Sequence, residues 1–319
     1  ISYWHIPHGK QNWYVQTSGI WQAVTMVIKP EIYVTRVQVN SQIRGTFQAK
    51  VFIENAGAGA TPIELILTIR DPGDKIVFST KREVNYASSA VEFTGQIDNP
   101  QLWDVDQPNL YTLEIRLGED VLVDRFGFRE IVVRDGKFYL NGKPFYMIAA
   151  LDQDFYPETV YETPSEEYLY DEMQKARELG LNTLRCHIKV PDPRYLKVAD
   201  ELGLLVWYEI PNWDVFDESV KARSRKTLQE MLQRDWNHPS LAIISLINES
   251  WGLDLNQANQ RQWLKAEFDF AKSLANGRLI VDNSACWGNY HLKTDINDYH
   301  TYWAIPENHQ KFSETVQEV

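Results

Sequence analysis

The hydrophobic pattern changes period part-way along this chain, and that change demands two kinds of architecture. From Thr35 to about Ile131 apolar residues alternate with polar ones: Phe47, Ala49, Val51 and Ile53, then Ile63, Leu65, Leu67 and Ile69, and later Tyr111, Leu113, Ile115 and Leu117. A period of two is the mark of a strand buried on one face. Turn signals such as Asp71-Pro72-Gly73-Asp74 punctuate the alternation. Several short half-buried strands within about a hundred residues predict an immunoglobulin-like β-sandwich. No cysteine falls inside it, so packing alone must hold it together.

After Asn141-Gly142, a hairpin turn signal, strands and helices alternate. Phe145 to Ala149 reads as a strand, followed by a helix starting at Thr163, with Pro164 in the first helical position and Glu166 completing a Thr-x-x-Glu capping box. Leu169, Met173 and Ala176 give that helix one apolar stripe, and Gly180 ends it. Further strands are expected at Thr183 to His187, Leu204 to Ile210, Leu241 to Ile247, Leu279 to Asp282 and Asp295 to His300, with a last helix after Pro306. Repeated strand-helix units imply a parallel sheet. About six units are present where a closed barrel has eight. The expected fold is therefore multidomain β and α/β: an immunoglobulin-like β-sandwich followed by an incomplete TIM (β/α)8 barrel. An open barrel leaves strand edges to cover, and a homo-oligomer covering that edge is one solution. The chain begins at Ile1 and its last helix runs to Val319, so it reads as a fragment.

Composition narrows the partners. An apolar fraction of 44% in 319 residues can fill real cores, while a net charge of -12 provides no basic surface for phosphates. Nucleic acid and anionic membranes are excluded on that ground, and a neutral substrate fits better. No run approaches the roughly 18 apolar residues of a membrane span, the first residues lack the apolar core of a signal peptide, and the compartment stays open. Cys186 and Cys286 lie far apart without a CxxC partner or clustered His, so buried free thiols are expected, with a disulfide left open. No cofactor and no metal are expected.

The chemistry concentrates in Ser245 to Gly252, reading SLINESWG, where the apolar run from Leu241 to Ile247 stops at Asn248-Glu249. Parallel strands deliver functional groups at their carboxyl ends, and a carboxylic acid there can donate and then accept a proton. That is glycosidase chemistry, and it needs a second carboxylate. Glu209, at the end of the third strand, is the rival carboxylate, with a structural salt bridge as its alternative. Arg185 and His187 share one strand face, as do His300 and Tyr302. Trp287 is the candidate sugar-facing wall; Asp152 and Asp154 are candidates for substrate hydroxyls or for loop capping.

With these residues in place the chain resembles glycoside hydrolase family 2, the group of β-galactosidases, β-glucuronidases and β-mannosidases. Gly19-Ile20-Trp21-Gln22 with Val24 looks like the end of that family's N-terminal sugar-binding jelly roll. Leu102-Trp103, Pro108-Asn109-Leu110-Tyr111-Thr112-Leu113 and Phe126-Gly127-Phe128-Arg129 resemble its immunoglobulin-like domain. Phe138-Tyr139-Leu140-Asn141-Gly142-Lys143-Pro144 resembles its entry into the barrel. The resemblance implies a jelly-roll remnant at 1–30, the sandwich at 31–132 and a partial catalytic barrel at 133–319.

In the barrel, Leu181 to His187 looks like the second-strand motif, whose Arg and His line the sugar subsite. His238-Pro239-Ser240 leading to Asn248-Glu249 is similar to the fourth-strand motif, in which Glu is the acid/base and Asn bonds the hydroxyl beside the reacting carbon. Asp295 to Tyr302 is similar to the sixth-strand motif, whose Tyr orients the nucleophile. By this resemblance Glu249 is catalytic, Arg185, His187 and Asn248 bind substrate, Tyr302 binds there and orients the nucleophile, and the nucleophile lies beyond Val319; Asp152, Trp287 and His300 join the substrate-binding candidates from their places at and near strand ends. The implied function is a retaining, exo-acting β-glycosidase working by double displacement on a carbohydrate substrate, with residues 1–319 inactive alone. A non-catalytic carbohydrate-binding or scaffold protein is the alternative, and net transglycosylation shares the same residues. Two stretches depart from the family. Ala150 to Pro157 replaces an Asn-x-His cluster, which leaves the sugar open, and Glu209-Ile210-Pro211-Asn212-Trp213 lacks the third-strand metal-binding groups of some galactosidases.

Overall fold

The computed structural model describes His5 and residues 19–55, 62–85, 88–286, 288–302 and 306–318. Seven strands form the first unit: β1 (Ile32–Ser41), β2 (Thr46–Asn55), β3 (Ile63–Arg70), β4 (Ile76–Val84), β5 (Ala90–Gln96), β6 (Tyr111–Leu117) and β7 (Asp120–Phe126). They make two antiparallel sheets, in the orders β1-β2-β5 and β4-β3-β6-β7. The alternation explains the packing: Phe47, Ala49 and Val51 of one sheet and Leu65, Leu67, Leu113 and Ile115 of the other are buried in one core. The β3–β4 turn forms where Asp71 Oδ1 accepts from the backbone N–H of Gly73 and Lys75, at 3.0 and 2.9 Å.

A three-stranded meander follows, with β8 (Ile131–Arg134), β9 (Lys137–Leu140) and β10 (Lys143–Phe145). Asn141 and Gly142 both have positive φ, 52° and 77°, as a two-residue hairpin turn of this hand requires. Phe145 therefore belongs to this hairpin, opposite Phe138, and the first strand of the parallel sheet is β11 (Ala149–Asp152), beginning where the sequence reading ended it.

The parallel sheet runs in chain order through β11, β12 (Thr183–Cys186), β13 (Leu205–Glu209), β14 (Leu241–Asn248), β15 (Leu279–Cys286) and β16 (Tyr299–His300). Helices α1 (Glu166–Glu178), α2 (Pro193–Leu202), α3 (Glu218–Arg234) and α4 (Ala258–Leu274) connect the first five strands, and α5 (His309–Glu318) follows β16. It is an incomplete barrel, as the periodicity predicts, with three local differences. Helix α1 is capped by Ser165, not Thr163: Ser165 is extended (φ -160°) and its Oγ accepts from Tyr168 N at 3.1 Å, while Thr163, held out of the helical region by Pro164, is buried. Strand β16 is two residues long because Asp295 turns inward to accept from Ile280 N at 2.7 Å and Lys272 Nζ at 2.8 Å. Among the described residues no helix separates β15 from β16.

One face of this sheet packs on the helices through Leu184, Cys186, Val206, Tyr208, Ile244 and Ile280. The other carries Leu205, Trp207, Ile243, Leu279 and Val281, which pack on Ile131, Leu140, Phe138 and Phe145 of the meander and on Trp103 of the β5–β6 connection. The meander thus plugs the amino-terminal end of the half-barrel, and at the open edge Leu151 of β11 stays 50% exposed. Polar bonds weld sandwich to barrel. Arg129 Nε and Nη2 donate to the carbonyls of Pro239 and Leu241 at 3.0 and 2.8 Å, and Trp103 Nε1 donates to Asp200 O at 2.9 Å. Gly127 is needed there, since an added Cβ would stand 2.8 Å from Trp103 Cβ.

Asn237 is the hub of the junction. Its Oδ1 accepts from Val39 N at 2.8 Å, and its Nδ2 donates to Val37 O at 2.9 Å and Asp124 Oδ2 at 2.6 Å. Each orphaned buried group costs about 1–3 kcal/mol. Asn237→Ala is expected to lower stability by about 3 kcal/mol, read as a fall in the urea midpoint; an unchanged midpoint contradicts the hub.

Candidate active site

At the carboxyl ends of the parallel strands one guanidinium collects its neighbours. Arg185, on the face of β12 opposite Leu184 and Cys186, donates from Nε to Glu209 Oε1 at 2.6 Å and also places Nη2 against that carboxylate. Nη2 donates to Asn248 Oδ1 at 3.1 Å, Nη1 donates to His300 Nε2 at 2.9 Å, and the guanidinium stacks 4.8 Å from the Trp207 ring centre. Trp207 is held in turn by its own bond to Ser245 Oγ, at 2.6 Å.

Glu209 is fully engaged. Oε2 accepts from His187 Nδ1 at 2.6 Å and from Ile188 N at 2.9 Å, while Oε1 faces Arg185. Burial alone raises a carboxyl pKa, but Arg185, His187 and Ile188 outweigh it here and hold Glu209 below its ordinary 4.5. A depressed carboxylate stabilises the fold fully above its unfolded pKa and loses that contribution as pH falls through the folded value. Glu209→Gln leaves Arg185 buried without its counter-charge, so a loss of about 3–5 kcal/mol is expected at pH 7. The gap to the wild type should begin to narrow as pH falls below 4.5, where the unfolded chain protonates Glu209 first, and should close as the folded carboxylate protonates at lower pH still. A pH-independent difference in urea titrations contradicts this account.

Glu249 follows the last residue of β14 in a backbone conformation that favours glycine. Its φ is 50° and that of Ser250 is 58°. Local bonds sustain this strained pair, which costs on the order of 1–3 kcal/mol per residue. Glu249 N donates to Ser284 O at 2.8 Å, Ser250 N to Asn283 Oδ1 at 2.8 Å, and Asn289 Nδ2 to Glu249 O at 3.1 Å. Behind them Asn212 Oδ1 accepts from Asn248 N at 2.7 Å, and Gly252 (φ 72°) admits the Trp213 carbonyl, which an added Cβ would meet at 2.6 Å. The left-handed turn swings the Glu249 side chain off the strand.

Two donors meet it there. Oε1 accepts from His300 Nδ1 and from the Tyr302 hydroxyl, both at 2.6 Å. Because Arg185 can only donate, His300 Nε2 must accept, and in the neutral ring the proton then sits on Nδ1, pointing at Glu249. The bond to Glu249, with burial and the Glu249 charge behind it, pushes the Tyr302 phenol up to about 12, so it stays a donor at neutral pH. Glu249 is 17% exposed, accessible yet enclosed.

The structure brings Arg185, His187, Asn248, Glu249, His300 and Tyr302 into one network, with Tyr302 bonded to Glu249. It does not bring Asp152 there. Paired in register with Cys186, Asp152 takes the helix side, accepting from Asp154 N at 2.7 Å and from the Tyr195 hydroxyl of α2 at 2.7 Å, which is the capping role. Asp154 is buried against Lys189 at 2.7 Å, its carboxyl pushed up to about 6 by burial that Lys189 only partly offsets. Trp287 lies outside the described residues. Sequence reasoning missed Ser284, Asp298 and Asn212; the alternation Asp298-x-His300-x-Tyr302 was the available signal for one of them. Among the described residues no group of three or more His, Cys, Asp or Glu is placed to hold a metal, and no helix is long and apolar enough to cross a membrane.

A β-sandwich welded to a parallel β/α sheet, with a carboxyl at a strand end beside a pinned arginine, defines a class of multidomain barrel proteins with their site on the carboxyl rim. Two family models match the chain: Glycosyl hydrolases family 2 at residues 30–129, and Glycosyl hydrolases family 2, TIM barrel domain, at residues 131–318. The chain belongs to glycosyl hydrolase family 2. It is 30% identical over 309 residues to a beta-galactosidase of Thermoanaerobacterium thermosulfurigenes, covering 92% of this chain and 42% of that protein. Among solved structures it is similar to a beta-glucuronidase of Parabacteroides merdae with glycerol in its active site, at 26% identity and a TM-score of 0.78, covering 91% of this chain and 39% of the other. It is also similar to beta-glucuronidase 3 of Bacteroides uniformis, at 27% identity and a TM-score of 0.70, covering 80% and 33%. The chain spans less than half the length of each of these relatives.

Proposed function

We propose that this chain forms the acid/base half of a retaining, exo-acting β-glycosidase. The observation that carries the reading is Glu249 on its left-handed turn at the end of β14, with Oε1 held by His300 and Tyr302. Glu249 protonates the glycosidic oxygen while a second carboxylate, roughly 5 Å away, attacks the anomeric carbon; Glu249 then takes a proton from the water that releases the sugar. Asn248 and Arg185 border the sugar subsite. Glu209 is not the second carboxylate, because both of its oxygens are committed to Arg185, His187 and Ile188. The reading assigns the nucleophile to sequence outside residues 1–319. Relatives named beta-galactosidase and beta-glucuronidase support a β-glycoside as substrate.

In the full-length protein, Glu249→Gln is expected to cut kcat/KM about a thousand-fold for glycosides with poor leaving groups and far less for activated aryl glycosides, as loss of general acid catalysis predicts. Equal losses on both sink the assignment. Residues 1–319 alone should show no turnover, and sugar binding without hydrolysis is the most they should display. Assaying aryl galactosides, glucuronides, mannosides and glucosides in parallel identifies the sugar.

A further inference from the structure

Beyond Glu249 and its two donors, a line of hydrogen bonds leads back into the barrel. His300 Nε2 lies 2.9 Å from Ser284 Oγ, on β15, and Ser284 Oγ in turn is in short contact with Asp298 Oδ2. Asp298 is 15% exposed, and its Oδ1 has no hydrogen-bond partner among the described residues, although His291 Nε2 stands 3.4 Å from it. A carboxylate with an unsatisfied buried oxygen is costly, and a neutral carboxylic acid is less so. Burial raises the Asp298 carboxyl pKa further than Ser284, Arg185 and the two histidines lower it. The acid has a use for its proton, since the Ser284 hydroxyl can then turn from Asp298 Oδ2 to His300 Nε2, sharing that nitrogen's lone pair with Arg185 Nη1, while the ring donates from Nδ1 to Glu249.

We propose that Asp298 is a positioning residue that shares one proton with Glu249 through Ser284 and His300. This rests on the reading of Glu249 as the acid/base. The transfer balances: the proton leaves Asp298 Oδ2 for Ser284 Oγ, the Ser284 proton moves to His300 Nε2, and the Nδ1 proton of His300 moves to Glu249 Oε1. Asp298 ends as the carboxylate, Glu249 as the acid, and the imidazole stays neutral with its tautomer reversed. Arg185 biases the resting arrangement, because its Nη1 loses its acceptor when Nε2 is protonated. Among the described residues the groups facing this pair include Arg185 of β12, Glu209 of β13, Cys286 of β15, His291 of the β15–β16 loop, and His300 and Tyr302 on and after β16. Two coupled carboxyls keep their last proton to higher pH than either alone, since each anion opposes ionisation of the other. The shared proton therefore extends the range over which Glu249 can act as an acid.

Two measurements test this in the full-length protein. The basic limb of the kcat/KM profile with a poor-leaving-group glycoside should move down by at least half a pH unit in both Asp298→Asn and Ser284→Ala, and stay in place in Ser284→Thr, which keeps the hydroxyl. A limb that does not move, or moves only in Asp298→Asn through loss of charge, overturns the line. Infrared pH-difference spectra read the protonated Asp298 carboxyl directly, assigned by Asp298→Asn. Glu249→Gln should lower its titration midpoint by at least half a pH unit, and an unmoved midpoint overturns the sharing. This second readout needs no turnover, so failure of the glycosidase reading appears separately, as equal loss of Glu249→Gln on both leaving-group classes.

Discussion

The carboxyl rim of the half-barrel depends on the fan of bonds made by one guanidinium. Arg185 rises from β12 and reaches the ends of β13, β14 and β16 through Glu209, Asn248 and His300. Strands of a parallel sheet are tied to one another along their lengths by backbone bonds, but their ends are free to splay. A planar, permanently charged group with five N–H donors is suited to lock several ends at fixed angles. Stacking on Trp207, itself bonded to Ser245, fixes the plane of the fan.

The two carboxylates beside it show how environment divides roles. Glu209 is buried, receives a cation, an imidazole and a backbone N–H, and is held ionised; it serves as the counter-charge that lets Arg185 be buried. Glu249 receives an imidazole N–H and a phenol on Oε1 and stands at the solvent boundary. What separates them is the full charge of Arg185 and the backbone N–H on Glu209, neither of which can accept a proton, whereas the His300 ring and the Tyr302 hydroxyl beside Glu249 can each donate or accept. The difference arises from one left-handed turn, which takes Glu249 off the strand and toward β16.

Much of this was legible in the sequence because periodicity records burial. The switch from period two to strand-helix alternation announced the sandwich and the six parallel strands, and the apolar run ending at Asn248-Glu249 located the rim. What escaped depended on competition between local signals and long-range contacts. Thr163 reads as the cap in the sequence, but it is buried and the extended Ser165, two residues on, caps the helix instead. Phe145 carried the right residue type for a barrel strand but pairs with Phe138 instead. Asp152 looked like an open-loop acid until its register with Cys186 turned it toward α2. Ser284 and Asp298 lie in stretches with ordinary strand and loop composition, and only the geometry of β15 against β16 gives them company.

The meander that plugs the half-barrel has one more consequence. Ile131, Phe138, Leu140 and Phe145 belong by sequence to the passage between two domains, yet they form part of the barrel's own interior with Trp103, Trp207 and Val281. A hinge needs a passage whose residues can change partners at little cost, and these cannot, because swinging the sandwich away would draw the stopper and flood that interior. Sandwich and barrel therefore move as one piece, and any opening motion that admits or releases a ligand must come from the loops at the opposite, carboxyl rim.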